Sequence, residues 1–186
     1  MFKVREEVVN VVVAGILQSY GLPNAALVSF DGVPDIYLIL RGLRFILETK
    51  DQALENTLVP QIKDRVIKNL CELGVGLVYP TDVVADHLSM LTTKHVENRL
   101  LKSDLKVIAY GPHGLTARQI IPPTTIKIQQ LPELLYRISE SAMQDSEMTD
   151  AIEAVRKSVD SFSRNIASLG DARKISQQIS EALEPK

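Results

Sequence analysis

The sequence predicts an α/β protein with a mixed central sheet, helices on both faces of that sheet, and a long C-terminal amphipathic helix. Short β-type segments follow a first helical segment, and Asp31-Gly32 and Arg41-Gly42 mark turns between them. The segments 36–40 and 43–47 are apolar on both faces. Strands of that kind lie in the middle of a sheet, with a helix layer on each side.

The elements follow from periodicity and from turn residues. Apolar residues with helical spacing predict a first helix at 3–19, which Gly21 and Pro23 end. Asn56 is expected to cap the second helix, and Pro60 to lie in its first turn. The predicted elements after the first helix are strands at 26–30, 35–40 and 44–50, a helix at 56–73, a strand at 75–79, a helix at 82–102, a strand at 106–110, a loop or lid at 111–125 and a helix at 131–143.

The C-terminal segment, 149–183, has the pattern of a long amphipathic helix. Its apolar stripe consists of Ile152, Val155, Val159, Phe162, Ile166, Leu169, Ile175, Ile179 and Leu183. Such a seam packs against helices of the same chain, against a second copy in a homodimer, or against a partner subunit. The predicted organisation is therefore a core at 1–110, a loop and helical extension at 111–147, and this helix within 148–186.

Composition excludes several classes of protein. The 186 residues are 45% hydrophobic and 24% charged, which is typical of a soluble globular chain. A net charge of −2 means that nucleic acid would be bound through a local patch or a bound cation. One cysteine excludes a disulfide framework, and three histidines without metal-ligand spacing argue against a zinc enzyme. Early acidic residues and an apolar run of only 8–17 predict a cytoplasmic protein with no membrane partner.

One hairpin carries an anomaly. A two-residue turn at Arg41-Gly42 would place Asp35 directly opposite Glu48, with Cβ atoms about 4.5–5.5 Å apart. Lys50 would point to the same face. Two carboxylates that face each other in an apolar sheet are destabilising unless a cation lies between them. Either Lys50 neutralises one of them, or a divalent cation binds both.

A divalent cation at these residues would define a reaction. Oxygen ligands with few protein contacts suit magnesium, which completes its shell with water and substrate phosphate. The metal would polarise a phosphoryl oxygen and lower the pKa of a bound water. Lys50 could orient that water or stabilise the charge that develops at phosphorus. The hairpin thus predicts metal-assisted hydrolysis of a phosphodiester.

These residues also resemble a family signature. Gly32-Val-Pro34-Asp35, twelve intervening residues and Glu48-Thr-Lys50 are similar to the motif of the PD-(D/E)XK nuclease superfamily, over 3–110. Its members include restriction endonucleases, Holliday-junction resolvases and nuclease domains of type I restriction subunits. The resemblance implies a restriction endonuclease-like fold, metal-binding carboxylates at Asp35 and Glu48, a catalytic Lys50, and Mg²⁺ with Mn²⁺ able to substitute.

The same resemblance implies further site residues. Many members place an acid on the first helix, here Glu6 or Glu7, and the sequence does not choose between the two. Members close to the type I and resolvase groups carry a glutamine on the next helix, and Gln61 resembles it. Arg65 stands where that motif often has a tyrosine, so the chain departs from the pattern there.

Simpler interpretations compete with the catalytic one. Asp35, Glu48 and Lys50 could form an ion pair at a strand end. The helix residues Lys63, Arg65 and Lys68 are expected on a solvated face. A basic stretch could contact a nucleic-acid backbone, but an ordinary charged surface is the favoured interpretation. It comprises Lys94, His95, Arg99, Lys102 and Lys106.

Two functions from different classes follow. The first is a magnesium-dependent endonuclease acting on DNA in restriction, defence or DNA processing, either alone or as the nuclease component of a larger system. The second is a non-catalytic nuclease-like domain that acts as a binding or assembly module through the long helix.

Overall fold

A computed structural model describes residues 2–29, 34–87, 90–154, 156–158, 160–161 and 164. The chain divides into two compact units, Met1–Thr149 and Asp150–Lys186. The predicted turn at Asp31-Gly32 lies outside the described residues.

The first unit is an α/β structure. Its helices are α1 (Phe2–Ser19), α2 (Glu55–Ile67), α3 (Thr93–Leu100) and α4 (Leu131–Gln144). Its strands are β1 (Ala26–Ser29), β2 (Pro34–Leu40), β3 (Leu43–Asp51), β4 (Leu73–Tyr79), β5 (Asp104–His113) and β6 (Thr116–Lys127). They form one sheet in the order β1 to β6. The pair β3 and β4 is parallel and every other neighbouring pair is antiparallel, so the predicted mixed sheet is confirmed.

The hairpin between β2 and β3 has the predicted register. Leu40 lies opposite Leu43, and the ladder continues to Ile36 opposite Leu47. Arg41 and Gly42 have φ angles of 52° and 77°, and a two-residue turn with positive φ at both positions matches the twist of the strands. Because the loop length fixes the register, Asp35 and Glu48 occupy the next opposed positions beyond this ladder.

The two faces of β3 meet different helices. On one face α2 approaches the sheet closely over Gly74 and Gly76 of β4, where a Cβ at Gly76 would lie 2.4 Å from Ile62 Cδ1. On the other face the Thr49 hydroxyl donates a hydrogen bond of 2.6 Å to Asn10 of α1. Successive side chains of a strand point to opposite faces, so Glu48 faces α2 while Thr49 faces α1.

The predicted second and third helices have the wrong bounds. The second helix ends at Ile67 because Asn69 adopts a left-handed conformation with a φ of 57°, which terminates a helix. It begins at Glu55, so Pro60 lies inside it rather than in its first turn. The helix predicted at 82–102 is a 3-10 turn at Thr81–Val84 followed by the short α3, which the Thr92 side chain caps.

The prediction of a loop at 111–125 is wrong. Strand β5 continues to His113, and β6 pairs with it from Thr116 onwards. The residues that suggested a loop, Pro122 and Pro123, fall at an irregularity of this ladder, which passes from Ile121 to Thr124. Strand β6 is the last of the sheet, and an edge strand tolerates proline because one row of its N–H groups needs no partner.

The last predicted helices are only partly described. The helix at 131–143 is confirmed as α4. In the second unit, residues 150–154, 156–158, 160–161 and 164 are helical. Apart from Ile152, the residues of the predicted apolar seam lie outside the described residues. Across the described part of the chain, no helix combines the length and the apolar character that crossing a bilayer requires.

Candidate functional site

A cavity of about 460 Å³ lies where β2 begins and β3 ends. These two points are neighbours because the strands are antiparallel. The helices α1 and α2 supply the remaining walls. The lining residues are Glu6, Asp35, Glu48, Lys50, Pro60, Gln61, Asp64 and Arg65. Every site residue predicted from the sequence except Glu7 lines this one cavity.

The two carboxylates predicted to face each other are both buried. Asp35 is 2% exposed and Glu48 is 3% exposed. One guanidinium contacts both, because Arg65 Nη2 lies 3.1 Å from Asp35 Oδ2 and Arg65 Nε lies 3.2 Å from Glu48 Oε1. The charge of Arg65 therefore bridges the two carboxylates, a role that the sequence predicted for a metal or for Lys50.

The prediction that Arg65 lies on a solvated helix face is wrong. Arg65 is 7% exposed because it falls on the buried stripe of α2, three residues after Ile62 and seven after Leu58. That spacing is visible in the sequence and is the signal that could have found the residue. Lys68 does lie on an exposed face, paired with Asp64 one turn earlier.

Lys50 contacts the acid on the first helix. Its ammonium forms a salt bridge and hydrogen bond with Glu6 Oε1, and both residues are buried. Of the two acids that the sequence left open, Glu6 lines the cavity, whereas Glu7 is half-buried outside its lining. Since Lys50 pairs with Glu6, it is not the group that separates Asp35 from Glu48.

Two buried oxygen atoms of this cavity find no hydrogen-bond partner among the residues that the structure describes. They are Asp35 Oδ2, which lies near Arg65 without hydrogen-bond geometry, and Gln61 Oε1. A buried acceptor without a donor is unfavourable by about 1–3 kcal/mol, so such atoms call for an explanation. Both atoms would be satisfied by a cation bound in the cavity.

Burial raises the pKa of two of the cavity acids, Asp35 and Glu6. Burial, followed by the neighbouring Glu48 carboxylate, raises the pKa of Asp35 to about 7, although Arg65 and Lys50 oppose the change. Burial also raises the pKa of Glu6 above its usual value, against the opposing effect of Lys50. In both cases burial is the largest cause, because removing a carboxylate from water disfavours its charged form.

The donor set of the cavity fits a hard divalent cation. The carboxylates of Glu6, Asp35 and Glu48 and the amide of Gln61 offer oxygen ligands, which magnesium and manganese prefer. As they stand, the carboxylates are drawn towards Lys50 and Arg65. Within the described ranges, no group of three or more His, Cys, Asp or Glu side chains is assembled as a metal site. The residue types fit a metal, and the present arrangement is one in which protein cations hold them.

The basic residues at 94–106 do not form one stripe. Helix α3 ends at Leu100, and Lys106 belongs to β5. Arg99 forms a salt bridge with Asp86, and Lys106 forms one with Glu55. This pairing supports the interpretation as an ordinary charged surface.

Comparisons with protein-family models, with curated proteins and with solved structures gave no match to the chain.

Proposed function

We propose that this protein is a divalent-cation-dependent nuclease of the PD-(D/E)XK type, with a restriction endonuclease-like fold, that hydrolyses phosphodiester bonds of DNA in the cytoplasm. The observation that carries the proposal is the convergence of Glu6, Asp35, Glu48, Lys50 and Gln61 on one cavity. These residues come from two strands and two helices, and four of the five are at most 8% exposed. A surface ion pair at a strand end would not bury three acids together.

Each residue has a role in the proposed reaction. Asp35, Glu48 and Glu6 would hold Mg²⁺ or Mn²⁺, with Gln61 as a further oxygen donor. A bound cation would supply Lewis-acid polarisation of the phosphoryl oxygen and would lower the pKa of an attacking water. Lys50 donates hydrogen bonds from its ammonium, which orients that water or stabilises the charge on the phosphoryl oxygens in the transition state. Burial of these groups strengthens their electrostatic interactions with the substrate.

The charge of the cavity agrees with a metal-dependent reaction. Its acids Glu6, Asp35, Glu48 and Asp64 outnumber its two bases. A phosphodiester is itself negative, so the cavity without a metal would repel the substrate. We therefore expect weak substrate binding without a divalent cation, consistent with the net charge of −2.

A cleavage panel tests the proposal. Duplex, branched and single-stranded DNA and RNA are incubated with the full chain in Mg²⁺, in Mn²⁺ or in EDTA. We expect metal-dependent cleavage of at least one DNA form, reduced at least about 100-fold by Asp35→Asn and by Lys50→Ala. The matched controls Glu97→Gln and Lys157→Ala alter exposed residues outside the cavity and should retain activity. Equal cleavage by wild type and Lys50→Ala, with circular dichroism showing both folded, would contradict the proposal.

One observation favours a second function, a non-catalytic module of a larger complex. Arg65 forms ion pairs with both of the carboxylates that a nuclease would use to bind metal, as in a site stabilised by internal ion pairs. In this function the C-terminal segment serves as the contact with a second copy or a partner subunit. The two functions differ in metal binding, which the module would lack.

A further inference from the structure

We infer that Arg65 is an internal counter-cation that holds Asp35 and Glu48 together in the metal-free protein and is displaced from them when a divalent cation binds. The inference rests on the proposed function, because it concerns the regulation of the same cavity. Arg65 would make metal binding an exchange of one cation for another rather than the filling of an open site.

The contacts of Arg65 are those of a bridging cation. One edge of its guanidinium, formed by Nε and Nη2, faces one carboxylate oxygen from β2 and one from β3. The planar fork of arginine usually takes both oxygens of a single carboxylate. Here it contacts two carboxylates on neighbouring strands, and a metal bound by both residues would compete for the same oxygens.

The same contacts show why the guanidinium can be displaced. Among the residues that the structure describes, Asp35 Oδ2 finds no hydrogen-bond donor, and its contact with Arg65 Nη2 at 3.1 Å is an ion pair without hydrogen-bond geometry. A metal bound by these oxygens would lie close to the guanidinium, and two cations repel strongly in a buried site. The cavity of about 460 Å³ beside Arg65 leaves room for the side chain to rotate away.

Lys50 does not bridge Asp35 and Glu48 as Arg65 does. Its ammonium pairs with Glu6. Loss of Arg65 should therefore expose Asp35 and Glu48 to a metal, while Lys50 stays available for the reaction. Arg65 is a positioning residue in this account, and its substitution should change metal affinity.

Calorimetric titration of Mn²⁺ into the metal-free full chain tests the inference. We expect the dissociation constant of Arg65→Gln to be about 10- to 100-fold lower than that of wild type, because a charge-assisted contact no longer competes. Arg65→Lys keeps a charge but cannot bridge two carboxylates as a planar fork, so its constant should lie between those two values. The matched control Arg137→Gln changes an exposed arginine of α4 and should leave the constant unchanged. An unchanged or weaker affinity in Arg65→Gln overturns the inference.

Thermal unfolding gives a second test, which can be used even if Arg65→Gln folds poorly. Without Arg65 the buried carboxylates repel each other, so Arg65→Gln should melt below wild type in EDTA. Mn²⁺ should then raise its melting temperature by more than it raises that of wild type. If Arg65→Gln is unfolded in EDTA, recovery of the fold on adding Mn²⁺ supports the inference. Failure of Mn²⁺ to restore the fold overturns it.

The inference and the proposed function fail in different ways. If Arg65→Gln binds Mn²⁺ more tightly than wild type but neither protein cleaves any nucleic acid, the nuclease proposal fails and the role of Arg65 stands. If wild type cleaves DNA but Arg65→Gln has an unchanged Mn²⁺ affinity, the role of Arg65 fails and the nuclease proposal stands. Absence of Mn²⁺ binding by both proteins overturns both.

Discussion

Ionisation of Asp35 should destabilise the folded protein when no metal is bound. Burial and the neighbouring Glu48 raise the pKa of Asp35 from 3.8 to about 7 in the fold. Because the folded pKa exceeds the unfolded one, protonation of Asp35 favours folding. Its contribution to stability is complete below the unfolded pKa and is lost as the pH rises through about 7.

The size of this effect follows from the two pKa values. This shift lowers the free energy of unfolding by roughly 4 kcal/mol when the pH rises from a value where Asp35 is protonated in both the folded and the unfolded protein to one where it is ionised in both. Between pH 5 and pH 8 the free energy of unfolding should fall by about 2–3 kcal/mol through this one group. Asp35→Asn removes the titrating carboxyl, so the substitution should raise stability by about 2–3 kcal/mol more at pH 8 than at pH 5.

Urea unfolding in EDTA at pH 5 and pH 8 measures this difference directly. The matched control Asp104→Asn changes an aspartate whose side chain is 64% exposed and which lies outside the cavity. Its effect on the free energy of unfolding should differ little between the two pH values. Parallel pH dependence in wild type and Asp35→Asn would refute the reasoning, since it would mean that the buried carboxyl does not hold its proton. The raised pKa of Glu6 acts equally in both proteins and cancels.

Two further predictions concern packing and the second ion pair. Gly76→Ala should lower the free energy of unfolding by about 1–3 kcal/mol, because the added Cβ would lie 2.4 Å from an α2 side chain. The control Gly15→Ala, with open space around its Cβ, should raise it by about 0.5–1 kcal/mol. Lys50→Met should cost about 3 kcal/mol because Glu6 loses its buried partner, whereas Lys157→Met breaks only an exposed pair and should cost under about 1 kcal/mol. Urea unfolding checks both predictions, and equal effects of a substitution and its control would contradict them.

The hairpin and its acids could be predicted from the sequence because local rules determine them. Two turn residues at Arg41 and Gly42 fix the strand register, and the register places Asp35 beside Glu48. No longer-range information was needed for that step. The acid on α1 could not be chosen in advance, because Glu6 and Glu7 lie on different faces of a helix whose burial depends on the whole fold.

The predictions that are wrong concern residues whose usual structural preference is overridden by the tertiary structure. Pro122 and Pro123 usually interrupt a strand, but the edge position of β6 accommodates them. Arginine usually faces water, but Arg65 is buried because two buried carboxylates supply it with partners inside the protein. Local composition does not reveal that a strand lies at the edge of a sheet, nor that buried carboxylates lie next to an arginine.

Calorimetric titration of Mn²⁺ into wild type and Glu48→Gln tests most directly whether Asp35 and Glu48 bind a divalent cation. Wild type should bind Mn²⁺, and Glu48→Gln should bind it at least about tenfold more weakly, because an amide replaces a charged oxygen ligand. The control Glu97→Gln, on the exposed face of α3, should match wild type. Equal binding by wild type and Glu48→Gln, or no binding by wild type, would contradict the claim and favour the assembly module.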